Sequence, residues 1–305
     1  MKRLLPIIVV TFLSISNIIN AQQLPLYSQY LMNDLFINPA IAGSKDYSPL
    51  VLGIHKQWVG IEGSPATQTL SFHTMLPNKH MGLGGILFND SFGVEGKTGI
   101  HAIYSYHFNI NKYNILSLGL SAIAMQYRVD LRNLTLPEPI PDPAITNQLE
   151  KAIVPDANFG IYFYGKNYYA SFSIAHLFQA PLRINKNTKE NLMVRHYFLM
   201  GGYRFTFPND IWEIEPSIMF KMTERTRPQI DINAKLYYDK NFWFGFSFRP
   251  KDAFIANIGF KYRQYYISYA YDFTISPLTR HTYGSQEIIF GMNIGENTRQ
   301  RRTFF

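Results

Sequence analysis

The chain has 305 residues, with 24 Phe and 21 Tyr, no Cys, and 29 Lys and Arg against 21 Asp and Glu for a formal charge of +8. The lack of cysteine excludes a disulfide framework and a lipid-anchored Cys after an export signal. Past residue 21 no uninterrupted apolar run reaches the ~18 residues that mark a membrane helix, which excludes a helical bundle.

Residues 1–21, MKRLLPIIVVTFLSISNIINA, open on Lys2 and Arg3, continue through an apolar stretch from Leu4 to Ile19, and end on Ala21. This is the anatomy of a secretory signal peptide. An exported chain seldom meets nucleic acid, and much of the excess basicity lies in the signal and in Arg299 to Arg302, so no nucleic-acid role is expected. Residues 22–49 are expected to be periplasmic or to fill a lumen, 50–296 to form a transmembrane β-barrel, and 297–305 to be a basic C-terminal tail.

Alternation of apolar and polar residues marks about fourteen strands. They are 50–61, 65–76, 81–91, 98–110, 114–130, 157–165, 168–179, 195–207, 212–224, 228–239, 242–250, 253–262, 264–275 and 285–296. In QIDINAKLYY, residues 229–238, Ile230, Ile232, Ala234, Leu236 and Tyr238 share one face and Gln229, Asp231, Asn233 and Lys235 the other. Soluble strands average about five or six residues, whereas a tilted strand crossing a bilayer needs about nine to eleven. These strands are of the longer kind, and in lipid only a closed antiparallel barrel leaves no unpaired edge.

Connections support closure. Those after even-numbered strands are tight (LPNKH, NKY, GKN, PNDI, DKN and a break near Arg263), whereas 131–156, 180–194 and 276–284, all after odd-numbered strands, are long. Short periplasmic turns and longer extracellular loops are the habit of outer-membrane barrels. Cationic residues on the lipid face near the midplane cost roughly 2–4 kcal/mol each. The rows carrying Glu213, Glu215, Lys221, Asp231, Lys235 and Arg249 are therefore assigned to the lumen and the apolar rows to lipid. Two irregularities are expected: a bulge or bend at Pro216, and a one-residue bulge near Ser121, where the apolar row shifts from Leu116, Leu118 and Leu120 to Ile123, Met125, Tyr127 and Val129.

No HExxH, GxSxG or metal-ligand spacing of His and carboxylates occurs. His101 and His107 are placed in the lumen, facing Glu213 or Asp231, as satisfied rather than catalytic groups, and GLGG at 82–85 is read as room for a close neighbour. No catalytic, cofactor-binding or metal-ligating residue is assigned, and the protein is expected not to be an enzyme. The long loops are the candidate partner-binding elements: 131–156, with Pro137, Pro139, Pro141, Pro143 and Pro155, and 180–194, with Arg183, Lys186 and Lys189. Proline stiffens the first, and a stiff loop loses less entropy on docking.

The densest local signal is FINPAIAGS at 36–44, with Asn38, Pro39, Ala40 and Gly43. KQWVGIEGSPATQTLSFH follows at 56–73, with Gln57, Trp58, Gly60, Gly63, Pro65 and Thr67, and then FNDSFG at 88–93, with Asn89, Asp90 and Gly93. Asn38 before Pro39 is forced extended, the glycines and Pro65 build a bend, and Trp58 is expected at a membrane rim. With NFGIYFYGKNYYASFSIAHLF at 158–178, RHYFLMGGY at 195–203, FWFGFSFRPKDAF at 242–254, YAYDFT at 269–274 and GSQEI at 284–288, the chain resembles the PorP/SprF family of outer-membrane barrels of the type IX secretion system over essentially its whole mature length. Lys56 stands where the family pattern has Arg, and Gln286 where it has His.

The resemblance implies a non-enzymatic membrane component. It would either link the outer membrane to periplasmic lipoprotein assemblies of the secretion and gliding machinery, or retain a large adhesin at the surface by binding its C-terminal domain. On this reading the outer loops hold the secreted protein, while the periplasmic turns and 22–49 meet the machinery. A passive, porin-like diffusion channel is the alternative, and an outer-membrane hydrolase acting on lipid or peptide a third reading.

Overall fold

The computed structural model describes residues 27–77, 80–132, 148–182, 191–224 and 226–295. Fourteen antiparallel strands close into an up-and-down barrel. They are β1 (Ser48–Lys56), β2 (Ala66–Met75), β3 (Met81–Phe92), β4 (Glu95–Asn109), β5 (Ile115–Asp130), β6 (Leu149–Tyr164) and β7 (Tyr168–Ala175), then β8 (His196–Tyr203), β9 (Trp212–Thr223), β10 (Gln229–Tyr238), β11 (Phe242–Arg249), β12 (Ala253–Tyr262), β13 (Tyr265–Thr274) and β14 (Ser285–Ile294). Each strand pairs with its sequence neighbours, and β1 pairs with β14 to close the ring. The even-numbered strands end in short turns on one rim, called the turn rim below. The opposite, loop rim carries the long connections, after β1, β5, β7 and β13, together with two tight ones at 93–94 and 250–252.

The faces sort by cost of solvation. Phe244 and Phe246 are 42% and 67% exposed while Arg249, on the same strand, is 2% exposed, the reverse of a sheet facing water. Asp231, Asn233 and Lys235 likewise point inward and Ile230, Ile232 and Tyr238 outward. Charge therefore lies inside and hydrocarbon outside, as lipid surroundings require.

Three local expectations are corrected. The pairing of β4 with β5 keeps one register from Glu95↔Val129 to Asn109↔Ile115, so no bulge exists near Ser121. The apolar residues Ile123, Met125 and Tyr127 simply stay on the inward face, where they are buried against Ala180, Leu182 and Met193 of a loop that folds over the lumen. Pro216 adds no residue either: Gly202↔Ser217 and Phe205↔Ile214 share one register. The ladder lapses between them, at Tyr203 and Arg204 opposite Pro216 and Glu215, and Arg204 N–H donates instead to the Asn167 carbonyl at 2.7 Å. Finally, β6 begins at Leu149, so the loop expected over 131–156 ends at 148 and Pro155 lies in a strand. β7 reaches no further up β6 than Phe159, so at Pro155 the strand pairs on one side only, where proline is tolerated.

Candidate functional site

The lumen holds residues 27–47, which descend from the loop-rim half to the turn rim, where β1 starts. Near the top, the backbone N–H groups of Ser28 and Gln29 donate to Glu287 at 2.6 and 3.0 Å, and Ser28 Oγ donates to Asp272 at 2.7 Å. At mid-height Asn33 donates to Thr69 Oγ1 at 3.0 Å and accepts from Ser71 at 2.9 Å. The Ser268 hydroxyl bonds Gln29, and the Asn233 amide bonds the Tyr30 hydroxyl. Near the turn rim the Ala42 carbonyl accepts from Ser105 at 2.6 Å and lies 2.8 Å from His107 Nε2, while Gly43 N–H donates to His73 Nδ1 at 3.0 Å.

FINPAIAGS forms the centre of this segment. Asn38 is extended (φ −141°, ψ 115°) as the following proline demands, and its side chain caps the short 3₁₀ turn Pro39–Ile41 by accepting from Ala40 N–H at 2.8 Å. Its amide nitrogen donates to the adjoining wall, to Ser171 Oγ at 2.7 Å and to the Ile161 carbonyl at 2.9 Å. The backbone here lies directly on the wall. A Cβ at Gly160 would overlap Asn38 Oδ1, one at Gly119 would overlap Ala40, and one at Gly82 would overlap the Ala42 carbonyl. Gly82 is the first glycine of GLGG, so the close neighbour is this segment. Gly43, at φ +74°, needs its own missing side chain, because a Cβ there would lie 2.8 Å from Gly82 Cα.

The wall from β9 to β14 fills its side differently. Arg249 makes a two-pronged contact with Asp231, Nε and Nη2 each 2.9 Å from a carboxylate oxygen, and Arg204 reaches Glu215 at 2.7 Å and Glu213 at 3.7 Å. The histidines therefore do not face Glu213 or Asp231 as expected. His101 stacks on Phe36 at 5.7 Å between centroids, and His107 holds Ala42 and lies 3.1 Å from the Tyr164 hydroxyl. Arginine is the stronger competitor for a buried carboxylate because it is always charged and offers a matching fork of donors.

At the outer mouth the chain after β7 folds inward. The two-residue strands Pro181–Leu182 and Asn191–Leu192 pair, and Ala180, Leu182, Met193 and Val194 are buried. Asp156 anchors this fold by accepting from Phe178 N–H at 3.1 Å and pairing with His176 at 3.1 Å. The first loop is tied down as well. Gln57 N–H donates to the Pro65 carbonyl at 2.9 Å, and Trp58 N–H donates to Ser285 Oγ at 3.1 Å, leaving Trp58 half-buried at the loop rim. Gly60 packs on the ring of Tyr283, and Gly93 N–H donates to the Gly63 carbonyl at 2.7 Å. Thr67 donates to Asp90 at 2.6 Å and Asn89 accepts from Thr98 at 2.7 Å. The thirteen family-motif positions thus divide between the lumen segment and the lock on the first loop. Pro137, Pro139, Pro141, Pro143, Arg183, Lys186 and Lys189 lie outside the described residues, as do 1–21 and the basic tail.

Sequence reasoning missed the anchors Asp272, Glu287, Ser105 and Ser173 and the sockets Gly119 and Gly160. Their signal was small or acidic residues in inward rows, which alternation alone assigns to water.

Comparison with solved structures agrees with the barrel. The CymD monoaromatic hydrocarbon channel is 11% identical, with 91% of this chain and 95% of that one covered and a TM-score of 0.52. A Pseudomonas aeruginosa FadL homologue is 10% identical, with 84% and 91% covered and a TM-score of 0.48. At such identity the likeness concerns the fold alone. No curated protein matches the chain. The family model described as type IX secretion system membrane protein PorP/SprF matches residues 19–292. With that match over most of its length and a lipid-facing barrel, the chain is an outer-membrane protein that belongs to the PorP/SprF family.

Proposed function

We propose that this barrel is a non-enzymatic binding platform of the type IX secretion system, not a diffusion channel. Its loop rim would hold a secreted or surface protein, such as the C-terminal domain of an adhesin. Its turn rim would meet periplasmic or lipoprotein components. The observation that carries this reading is the occupied lumen: residues 27–47 are bonded to inward side chains of β1, β2, β4, β7, β10, β13 and β14. A barrel of this strand number lies between small barrels filled by side chains and the ~16–18 strands of open porins, so its occupant decides whether it conducts. The segment placed in the lumen is not free in the periplasm, which leaves contact with the machinery to the turns.

Planar bilayer recording tests the choice. The purified protein is expected to be silent and a variant lacking 27–47 to conduct; steady conductance by the intact protein would reinstate the channel. Surface cross-linking followed by mass spectrometry tests the platform itself. Recovery of a secreted protein's C-terminal domain at the loop rim is expected, and recovery of lipid and barrel alone would refute it.

A further inference from the structure

Toward the loop rim one edge of β6 is open. Strands β6 and β7 pair only between Phe159↔Ile174 and Tyr164↔Tyr169, whereas β6 pairs with β5 as far as Leu149↔Asp130. Leu131 N–H donates to the Gln148 carbonyl at 3.1 Å, so even-numbered residues of this stretch bond toward β5 and odd-numbered ones point away from it. Ala157 conforms, its carbonyl accepting from Leu177 N–H at 2.9 Å. Beyond it the N–H groups of Leu149, Lys151 and Ile153, and the carbonyls of those three and of Pro155, meet no partner among the described residues. They span about 20 Å of strand at ~3.4 Å per residue.

The outward rows give the height of this edge. Leu70, Leu87, Ile100, Ala124 and Pro155 lie in one register row across β2 to β6 and are apolar. The next row is Gln68, Asn89, Thr98, Gln126 and Ile153, and the one above it carries Arg128 and Lys151. Hydrocarbon therefore ends near Pro155, which has no N–H to leave unpaired in lipid, and residues 149–153 stand in the aqueous exterior. Ile153 is 79% exposed. Arg128 faces Lys151 directly across the strands, and neither has an ion-pair partner among the described residues. Asp130 beside them is held by Arg132 at 2.6 Å. Arg128 lies over Gly96 of β4, and its like charge disfavours Lys151 leaning back over β5. Lys151 is thus the cation left for the open edge.

We propose that this edge takes an extended, acidic strand of a secreted protein, added to the barrel sheet beside β6. Main-chain bonds supply affinity, an acidic side chain answers Lys151, and an apolar one two residues along covers Ile153. A lipid phosphate offers acceptors alone and leaves the carbonyls unpaired. A second copy joined edge to edge sets Lys151 close to its counterpart on one face, cation against cation. The inference rests on the platform reading and names the chemistry by which its loop rim takes a partner.

The test uses the full chain in detergent micelles and the fluorescence anisotropy of labelled octapeptides. The probe repeats Thr-Glu-Thr-Val, which puts Glu and Val on one face of a strand; one control has Lys for Glu, and another is N-methylated at the Glu and Val positions. The probe is expected to bind at least about tenfold more tightly than either control. Lys151→Gln should weaken it about fivefold and Arg128→Gln, one strand further from the edge, by less. Ile153→Pro deletes one edge donor, touches no bond to β5, and should also cost about fivefold. Lys112→Gln, on the turn rim, should change nothing. Heat-modifiable electrophoresis checks that each variant folds, and the N-methylated peptide tests backbone pairing without any variant. Equal binding of either control, no binding, a loss from Lys112→Gln as large as that from Lys151→Gln, or a dimer in micelles that Ile153→Pro dissociates would each overturn the proposal. Photo-cross-linking in cells separates the two readings. A photoreactive residue in place of Ile153 is expected to capture a secreted protein. Capture only from Tyr283, exposed elsewhere on the loop rim, would sink the edge alone, whereas peptide binding with no secreted protein captured at either position would sink the platform and leave the edge standing.

Discussion

The two halves of the wall solve the same problem, filling a wide lumen, by opposite means. From β3 to β7 the inward rows carry glycine and serine at Gly82, Ser105, Gly119, Gly160, Ser171 and Ser173, and the backbone of residues 36–44 lies against them. From β9 to β14 the wall fills space with its own long side chains, and the inward glycines there serve neighbours in the sheet: Gly259 receives the Trp243 ring and Gly291 the Tyr266 ring. Glycine opposite a guest backbone and glycine opposite a neighbouring aromatic look identical in sequence. The first half makes room for its guest's backbone, whereas the second meets the guest through side chains such as Glu287, Ser268 and Asn233.

The sharpest way to break this comparison is to attack the self-filled half. Arg249→Met should strand Asp231 and cost about 3–5 kcal/mol, read as a lowered midpoint of urea unfolding in micelles, while Arg249→Met with Asp231→Leu should recover most of it. A cost that persists in the double variant would mean the pair holds something beyond itself.

On the half that makes room for the guest's backbone, Gly160→Val should force Asn38 off the wall and cost about 1–3 kcal/mol by overpacking, with channel openings appearing in bilayer recordings. In a variant already lacking 27–47 the same substitution should cost little. An equal cost in both backgrounds would show that Gly160 serves the sheet and not the guest.

Asn38→Ala removes the cap of Pro39–Ile41 and the bond to Ser171, and an effect of about 1–2 kcal/mol is expected. Heat-modifiable electrophoresis would show it as a lower temperature of conversion. The smallest change belongs to the loop rim, where Thr98→Ala deletes an exposed bond to Asn89 and should shift stability by no more than about 0.5 kcal/mol. A larger loss would place the first-loop lock among the elements that hold the barrel together.

Much of the barrel was legible along the chain. All fourteen strands, the facing of Ile230 against Asp231, and the placing of the long loops 131–148 and 176–195 on one rim follow from period-two alternation and loop length. The reading failed where an apolar residue faced inward for a reason outside its own strand. Ile123, Met125 and Tyr127 mimic a bulge because they are buried by residues 180–193, far away in sequence. The start of β6 was missed because Pro155 reads as loop, and only one-sided pairing makes it tolerable there. FINPAIAGS stood out as a motif, yet nothing local revealed that it packs inside the cylinder.

Residue order alone is enough to specify a closed, lipid-facing cylinder, since each strand carries its own two-faced pattern and lipid allows no open edge. The occupant of the lumen was not legible in that way. It depends on whether Asn38 meets Gly160, Ser28 meets Glu287 and Arg249 meets Asp231, contacts between residues from 18 to more than 250 positions apart. No window of the chain encodes such meetings, because steric fit and charge pairing exist only once the strands have paired and the lumen segment has met the wall.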